Sequence, residues 1–181
     1  MDIDNTEVSV AAPAEEESGE KKGVTTASEV GIAALVPFAN PLASEKDQKK
    51  VLKSVKKAAK SKAIKRGVKE CVKSIRKSPA ATPSSLNPAT LPPGIVILAA
   101  DISPMDVISH IPVLCEDHGI PYIYVPSRAE LGSAGSTKRP TSVVMITPTP
   151  GKGAADSAQE WKESFAELNT LARKLGSEVT V

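Results

Sequence analysis

Several residue groups in the chain have types and spacings that could do chemistry. Cys115 and His118 stand three apart, which puts them on one helix face and raises a thiol nucleophile or a metal site. No third ligand or orienting partner follows at a recognisable spacing. Cys115 therefore reads as core and His118 as a surface residue at a helix end. His110 precedes an Ile-Pro step and reads as a turn residue. Asp101, Asp106, Glu116 and Asp117 could supply an acid–base pair, but acids at caps and on helix surfaces explain them equally. Residues 131–138 (LGSAGSTK) resemble a phosphate loop only loosely, lacking its spacing and its strand-to-helix setting. Gly151-Lys152-Gly153 is weaker still. The expectation is no catalytic set, no metal and no cofactor.

The basic residues carry more. Arg66-Gly67-Val68-Lys69-Glu70 opens a helix at a glycine. A glycine there lets a phosphate approach exposed amide groups, and the helix dipole favours the anion. Lys69 and Lys73 stand one turn apart beside Arg76. Glu70 sits at the edge of that arc. It reads either as an acceptor for a base edge or as an internal counter-ion, and spacing supports both. Lys138-Arg139-Pro140 forms a second basic spot.

The charge of the whole chain supports this emphasis. The net charge is only +2 over 181 residues. Residues 1–30 nevertheless hold eight acids and two bases, whereas residues 46–77 hold fourteen Lys or Arg and two acids. Like charges so concentrated repel, and a bound polyanion relieves them, which favours nucleic acid. A solvated helix face is the plainer explanation. Aromatics make up 3 % of residues, so the core is expected to be aliphatic and binding cannot rest on stacking. No apolar run reaches bilayer length, and the start is acidic rather than basic-then-apolar, so neither a membrane span nor a secretory signal is expected. Two cysteines are too few for a disulfide framework and read as reduced intracellular thiols.

The elements that must position these residues follow from periodicity. Residues 1–30 lack it and are expected to be an acidic disordered tail, with 31–181 a single domain. That tail could mimic a nucleic acid and suppress non-specific binding. Residues 31–43, with Pro37 and Pro41, read as an extended segment lying on the domain. Ser44 and Asp47 predict a capped helix over 45–61, with Val51, Leu52, Val55, Ala58 and Ala59 inward. A short extended piece follows at 63–65. A second helix over 68–77 turns Val68, Cys71, Val72 and Ile75 one way and Lys69, Lys73, Arg76 and Lys77 the other. Residues 78–93 carry five prolines and read as a linker. Strands are predicted at 94–100, 121–125 and 142–146. Ser103 and Pro104 predict one helix start, Pro112 a second that ends at Gly119, and Ser127 with Glu130 a third. The helix patch 105–114 is either a protein-facing surface or core. A last helix over 157–175 turns Trp161, Phe165, Leu168, Ala172 and Leu175 to one side. The pattern predicts an α/β fold, a three-layer α-β-α sandwich with a mixed, mostly parallel sheet.

Residues 115–132 (CEDHGIPYIYVPSRAELG) match position by position the signature of the archaeal ribosomal kink-turn-binding protein family. The stretches RGVKE (66–70), DISP (101–104), SHIPVLCEDH (109–118) and STKRPTSVVMI (136–146) look most like its eukaryotic H/ACA ribonucleoprotein branch. The resemblance covers roughly residues 37–146. It implies a non-catalytic RNA-binding subunit that grips RNA with the start of the second helix and a nearby loop. Carried over residue by residue, the contacts are Gly67, Lys69, Glu70 and Lys73, then Ser103 and Val107, then Arg128, Thr137, Lys138 and Arg139. Kink-turn readers have Asn where this chain has Lys69 and usually an aliphatic residue where it has Thr137. Lysine offers only donors, so generic phosphate affinity should grow at the expense of base reading. The implied RNA is a structured H/ACA guide hairpin. The implied partners are a dyskerin-type pseudouridine synthase, a small bridging scaffold protein and a Gly/Arg-rich subunit. The implied setting is nuclear and nucleolar, with no membrane. The alternatives are a ribosomal or box C/D kink-turn binder, a small α/β nucleotide-acting enzyme, and a scaffold for acidic proteins.

Overall fold

In a computed structural model, the chain is described over residues 35–81, 91–151 and 158–177. The expected acidic tail lies outside those residues, as do 31–34, the linker centre 82–90, and Lys152 and Gly153. In chain order the elements are α1 (Glu45–Lys60), β1 (Ile64–Arg66), α2 (Val68–Lys77), β2 (Ile95–Ala99), α3 (Asp106–Asp117), β3 (Tyr122–Val125), α4 (Arg128–Ala134), β4 (Val143–Ile146) and α5 (Ala158–Ser177).

The strands form one sheet in the order β1-β4-β2-β3. Every residue of β2 and β4 is buried, so helices must cover both faces. One layer holds α1, packed on α4 and α5, and the other holds α2 against α3. The α/β layering expected from the sequence is present, and the sheet is mixed. It is not mostly parallel. Only β2 and β3 run parallel, while β4 is antiparallel to both β1 and β2. The reason lies in α4. β2 and β3 end together, with Ala99 beside Val125, and a parallel β4 would require the chain to travel back down the sheet. Seven helical residues rise only about 10 Å. The chain therefore re-enters from the end it has just left, with Val143 beside Leu98.

Local chemistry explains most boundaries. Ser44 Oγ accepts from the Asp47 amide at 3.4 Å, the expected cap, and Asp47 Oδ2 accepts from the Ser44 hydroxyl at 2.7 Å rather than from its amide. That hydrogen bond, ahead of the nearby Lys50 charge, holds the Asp47 carboxyl below its usual range. Val51, Val55 and Ala58 of α1 are fully buried. Residues 41–43 lie along β3, with the Tyr124 amide donating to Pro41 O and the Ala43 amide to Tyr124 O, but residues 36–39 turn rather than extend, the Ala39 amide closing on Val36 O at 3.1 Å. Trp161, Phe165, Leu168 and Ala172 seal α5 onto the core.

The helix after β2 departs from expectation. Ser103 does not cap it. The cap position is Met105, without a side-chain hydrogen bond, and the helix runs unbroken from Asp106 through Pro112 to Asp117. Proline inside a helix costs about 3 kcal/mol. Burying Ile108 and Ile111, each worth roughly 1.5–3 kcal/mol, offsets it. Cys115 continues the same buried stripe. His110 is thus an exposed helix residue rather than a turn residue. The 105–114 patch divides: Met105, Val107 and Val113 are exposed, while Ile108 and Ile111 are core.

Candidate nucleic-acid interface

The C-terminal ends of β1, β2 and β3 and the start of β4 share one end of the sheet. Attached there are the start of α2, the β2–α3 turn, the start of α4 and the α4–β4 loop, all of which carry sequence-predicted residues. Antiparallel β4 is what brings the last of these beside the first. The Gly67 amide donates to Val143 O at 2.9 Å, tying the start of α2 to the start of β4.

Gly67 is the cap residue of α2 at φ 92°, a conformation that side chains adopt only under strain, and a Cβ there would meet nothing within 4 Å. No side chain caps the helix, and the first intrahelical bond runs from the Cys71 amide to Gly67 O. The amides of the first turn therefore open towards solvent at the positive end of the helix dipole, a setting suited to an anion. Lys69, Glu70, Lys73 and Arg76 are all exposed. Lys69, Lys73, Arg76 and Lys77 rim an open groove whose apolar floor is Val68 and Val72 and whose α3 wall includes His110. Glu70 makes no ion pair among the described residues, so the counter-ion explanation finds no partner there.

The α4–β4 loop is shaped by its own backbone and by residue 137. Thr137 Oγ1 donates to Arg139 O at 2.6 Å and accepts from the Arg139 amide at 3.1 Å. Its hydroxyl thus folds the turn that holds Lys138 and Arg139 out in solvent. Gly132 is needed beneath this loop, because a Cβ there would collide with Arg139 O. Arg128 is half exposed and anchored twice to Asp101: its amide donates to Oδ1 at 2.8 Å, and Nε lies 3.9 Å from Oδ2. That pair ties α4 to the β2–α3 turn, where Ser103 is exposed. Val107, 40 % exposed, follows in the first turn of α3.

Arg66, the first residue of the RGVKE motif, has a role at this end of the sheet that the motif does not reveal. Its guanidinium donates to Gly135 O at 2.6 Å and Ser136 O at 3.4 Å, fastening β1 to the loop that carries Lys138. The signal for it was weak, since the alternation of a three-residue strand says which residues point outward and not what they reach.

The thiol chemistry raised by the sequence is not assembled. Cys71 and Cys115 are fully buried, and burial pushes each thiol up to about 12. Neither is a thiolate near neutrality. His118, the cap of α3, has Nδ1 3.2 Å from Pro79 O.

Residues 92–154 match the sequence model of the ribosomal protein L7Ae/L30e/S12e/Gadd45 family. A solved 15.5 kD RNA-binding protein of Giardia lamblia superposes with a TM-score of 0.59 at 30 % identity, over 78 % of this chain and 99 % of that one. The chain belongs to the L7Ae/L30e/S12e/Gadd45 family. Within this family it is similar to the H/ACA ribonucleoprotein complex subunit NHP2 of Saccharomyces cerevisiae, 60 % identical over 77 residues, 41 % of this chain and 49 % of the relative. It is also similar to the H/ACA ribonucleoprotein complex subunit 2 of Bos taurus, 45 % identical over 74 residues, 41 % of this chain and 42 % of the relative. The matched part spans about half the length of these curated relatives. The L7Ae-family match includes α3, β3, α4 and β4, but the cationic α2 lies ahead of it in the chain.

Proposed function

We propose that the chain is a non-catalytic RNA-binding subunit of an H/ACA ribonucleoprotein, anchoring a guide-RNA hairpin for RNA-guided pseudouridylation of ribosomal RNA. The observation that carries this reading is the convergence, at one end of the sheet, of an uncapped cationic helix start and a loop presenting Lys138 and Arg139. The names of the similar H/ACA subunits support it. Gly67, Lys69, Glu70, Lys73 and Arg76 would meet the RNA from α2. Lys138 and Arg139 would meet it from the loop, with Arg128, Ser103 and Val107 at the margin and Thr137 shaping the turn. The contacts are chiefly phosphate contacts, which position RNA without reading its sequence. Selectivity then falls to RNA shape and to partners: a dyskerin-type synthase, a small bridging scaffold protein and a Gly/Arg-rich subunit. The setting that goes with this function is nuclear, within the nucleolus.

The test is a titration of the full chain against a kink-turn stem-loop, a plain hairpin and a linear duplex at two salt concentrations. Steeply salt-dependent binding, similar for kink-turn and hairpin, is expected. A kink-turn preference above about tenfold, or ~1.4 kcal/mol, would move the assignment to a kink-turn binder. No binding to any of the three would remove the RNA reading.

A further inference from the structure

The second concentration of positive charge lies on α1, away from the residues discussed so far. Its seven lysines, Lys46, Lys49, Lys50, Lys53, Lys56, Lys57 and Lys60, are all exposed. At 100° per residue they fall within one arc of about 120°. Opposite that arc, Val51, Val55 and Ala58 are buried, so packing fixes which way the lysines point. Lys50 pairs with Asp47 at 3.4 Å, and Lys57 Nζ donates to Ser164 Oγ at 2.9 Å. Lys46, Lys49, Lys53, Lys56 and Lys60 have neither an ion pair nor a hydrogen bond among the described residues. They form a row of alternating three- and four-residue steps extending about 21 Å at the helical rise. Glu160 and Glu167 of α5 flank the other side of the arc, in the grooves beside Lys50, Lys53, Lys57 and Lys60. Lys46, Lys49 and Lys56 line neither groove and form the edge away from those glutamates, with Glu45 the acid at its start.

The start of this row lies at the same end of the sheet as the α2 and loop residues. The Ala43 amide donates to Tyr124 O near the end of β3, and Gln48 Nε2 donates to Glu130 Oε2 at 2.6 Å on α4. From there α1 runs back along its face of the sheet to β1. We propose that the lysine edge of α1 is a second RNA surface, gripping the phosphate backbone of the stem that leaves the first site. The inference rests on the RNA-binding reading above.

Three features favour a nucleic-acid backbone over an acidic protein. The row is straight, rigid and evenly spaced, like the charge it would meet. It is all lysine, whose ammonium meets a phosphate as a point charge without demanding one fixed geometry. It also lacks the exposed aromatic and apolar anchors that protein interfaces concentrate. The expected contact is sequence-independent and sensitive to stem length.

The experiment compares the full chain with a K49Q/K53Q/K56Q variant, glutamine being a comparable helix former. An unchanged melting temperature establishes that the variant folds. The probes are two hairpins with the same loop, one short-stemmed and one long-stemmed, titrated across salt. The variant is expected to lose about tenfold or more on the long stem and to flatten its salt slope by about two. Short-stem affinity should stay within about twofold. A K49R/K53R/K56R variant should bind as the wild type does. Equal losses on both stems, or no loss on either, would overturn the inference. In the latter case a loss on both stems from Lys73→Ala leaves the first site standing. Failure of the wild type to bind either hairpin removes both readings. Loss of binding to polyglutamate without loss of RNA binding assigns the face to an acidic protein and overturns the proposal.

Discussion

α1 and α2 are both amphipathic, both lysine-rich, and both begin at the same end of the sheet, yet they are built differently at the start. α1 opens on Ser44, whose hydroxyl occupies an amide of the first turn. α2 opens on Gly67 at φ 92°, with no side chain over its amides and open space in front. Charge makes both helices attractive to a polyanion. Only the second offers donors at fixed positions as well. A cationic face sets affinity, and an uncapped end held by tertiary contacts sets where the anion sits.

Differences on the inner sides should give the largest effect. α1 packs Val51, Val55 and Ala58, none of which titrates, while α2 packs Cys71, with Cys115 facing it from α3. Burial raises both thiols from 9.0 to about 12, so the native state keeps protons that the unfolded chain releases above pH 9. This contribution is complete below pH 9 and drains away as pH climbs towards 12, at about 1.4 kcal/mol per pH unit for each thiol. Denaturant melts at pH 7 and pH 10 read the loss. Cys71→Ala should lower stability at pH 7 yet remove about half of the thiol share of the alkaline loss. A share unchanged by that substitution would take Cys71 out of the account.

Substitutions at the two helix starts sharpen the comparison. Gly67→Ala forces an L side chain into a strained conformation and should cost about 1–3 kcal/mol, together with RNA affinity for every RNA tested. Ser44→Ala should cost about 1 kcal/mol of stability and leave RNA affinity alone. Chemical denaturation and a hairpin titration on both variants check this. If Ser44→Ala weakened RNA binding as much as Gly67→Ala, the two starts would not differ in function.

Next come the cations. Lys73→Ala and Arg139→Ala should weaken binding to all RNAs several-fold and lower the salt slope by about one each. An unchanged slope removes that residue from the interface. Glu70→Ala should give the smallest effect, a narrowing of the difference between preferred and unpreferred RNAs with little change in salt slope. A uniform loss would instead make Glu70 structural.

Much of this architecture was legible along the chain because it is enforced locally. The capped start of α1, the boundaries of α2, the apolar runs of β2 and β4 and the Ser127 cap of α4 each depend on neighbours within a few residues. Their side-chain periods and capping hydroxyls are written consecutively. The cationic arc of α2 was legible for the same reason, since helix geometry turns spacing directly into a face.

Three features only the tertiary structure decided. Pro112 stays inside α3 because Ile108, Ile111 and Cys115 find one continuous core to bury against, an energy that spacing cannot weigh. β4 enters antiparallel between β1 and β2 because short α4 leaves the chain at the end of the sheet where β3 finished. That reversal places the start of β4 beside Gly67, and Arg66 then fastens the loop before it through the Gly135 and Ser136 carbonyls. The sequence by itself determined which residues carry charge and on which face of which helix. Whether two such faces meet depends on non-local pairing and burial, which the order of residues does not state locally.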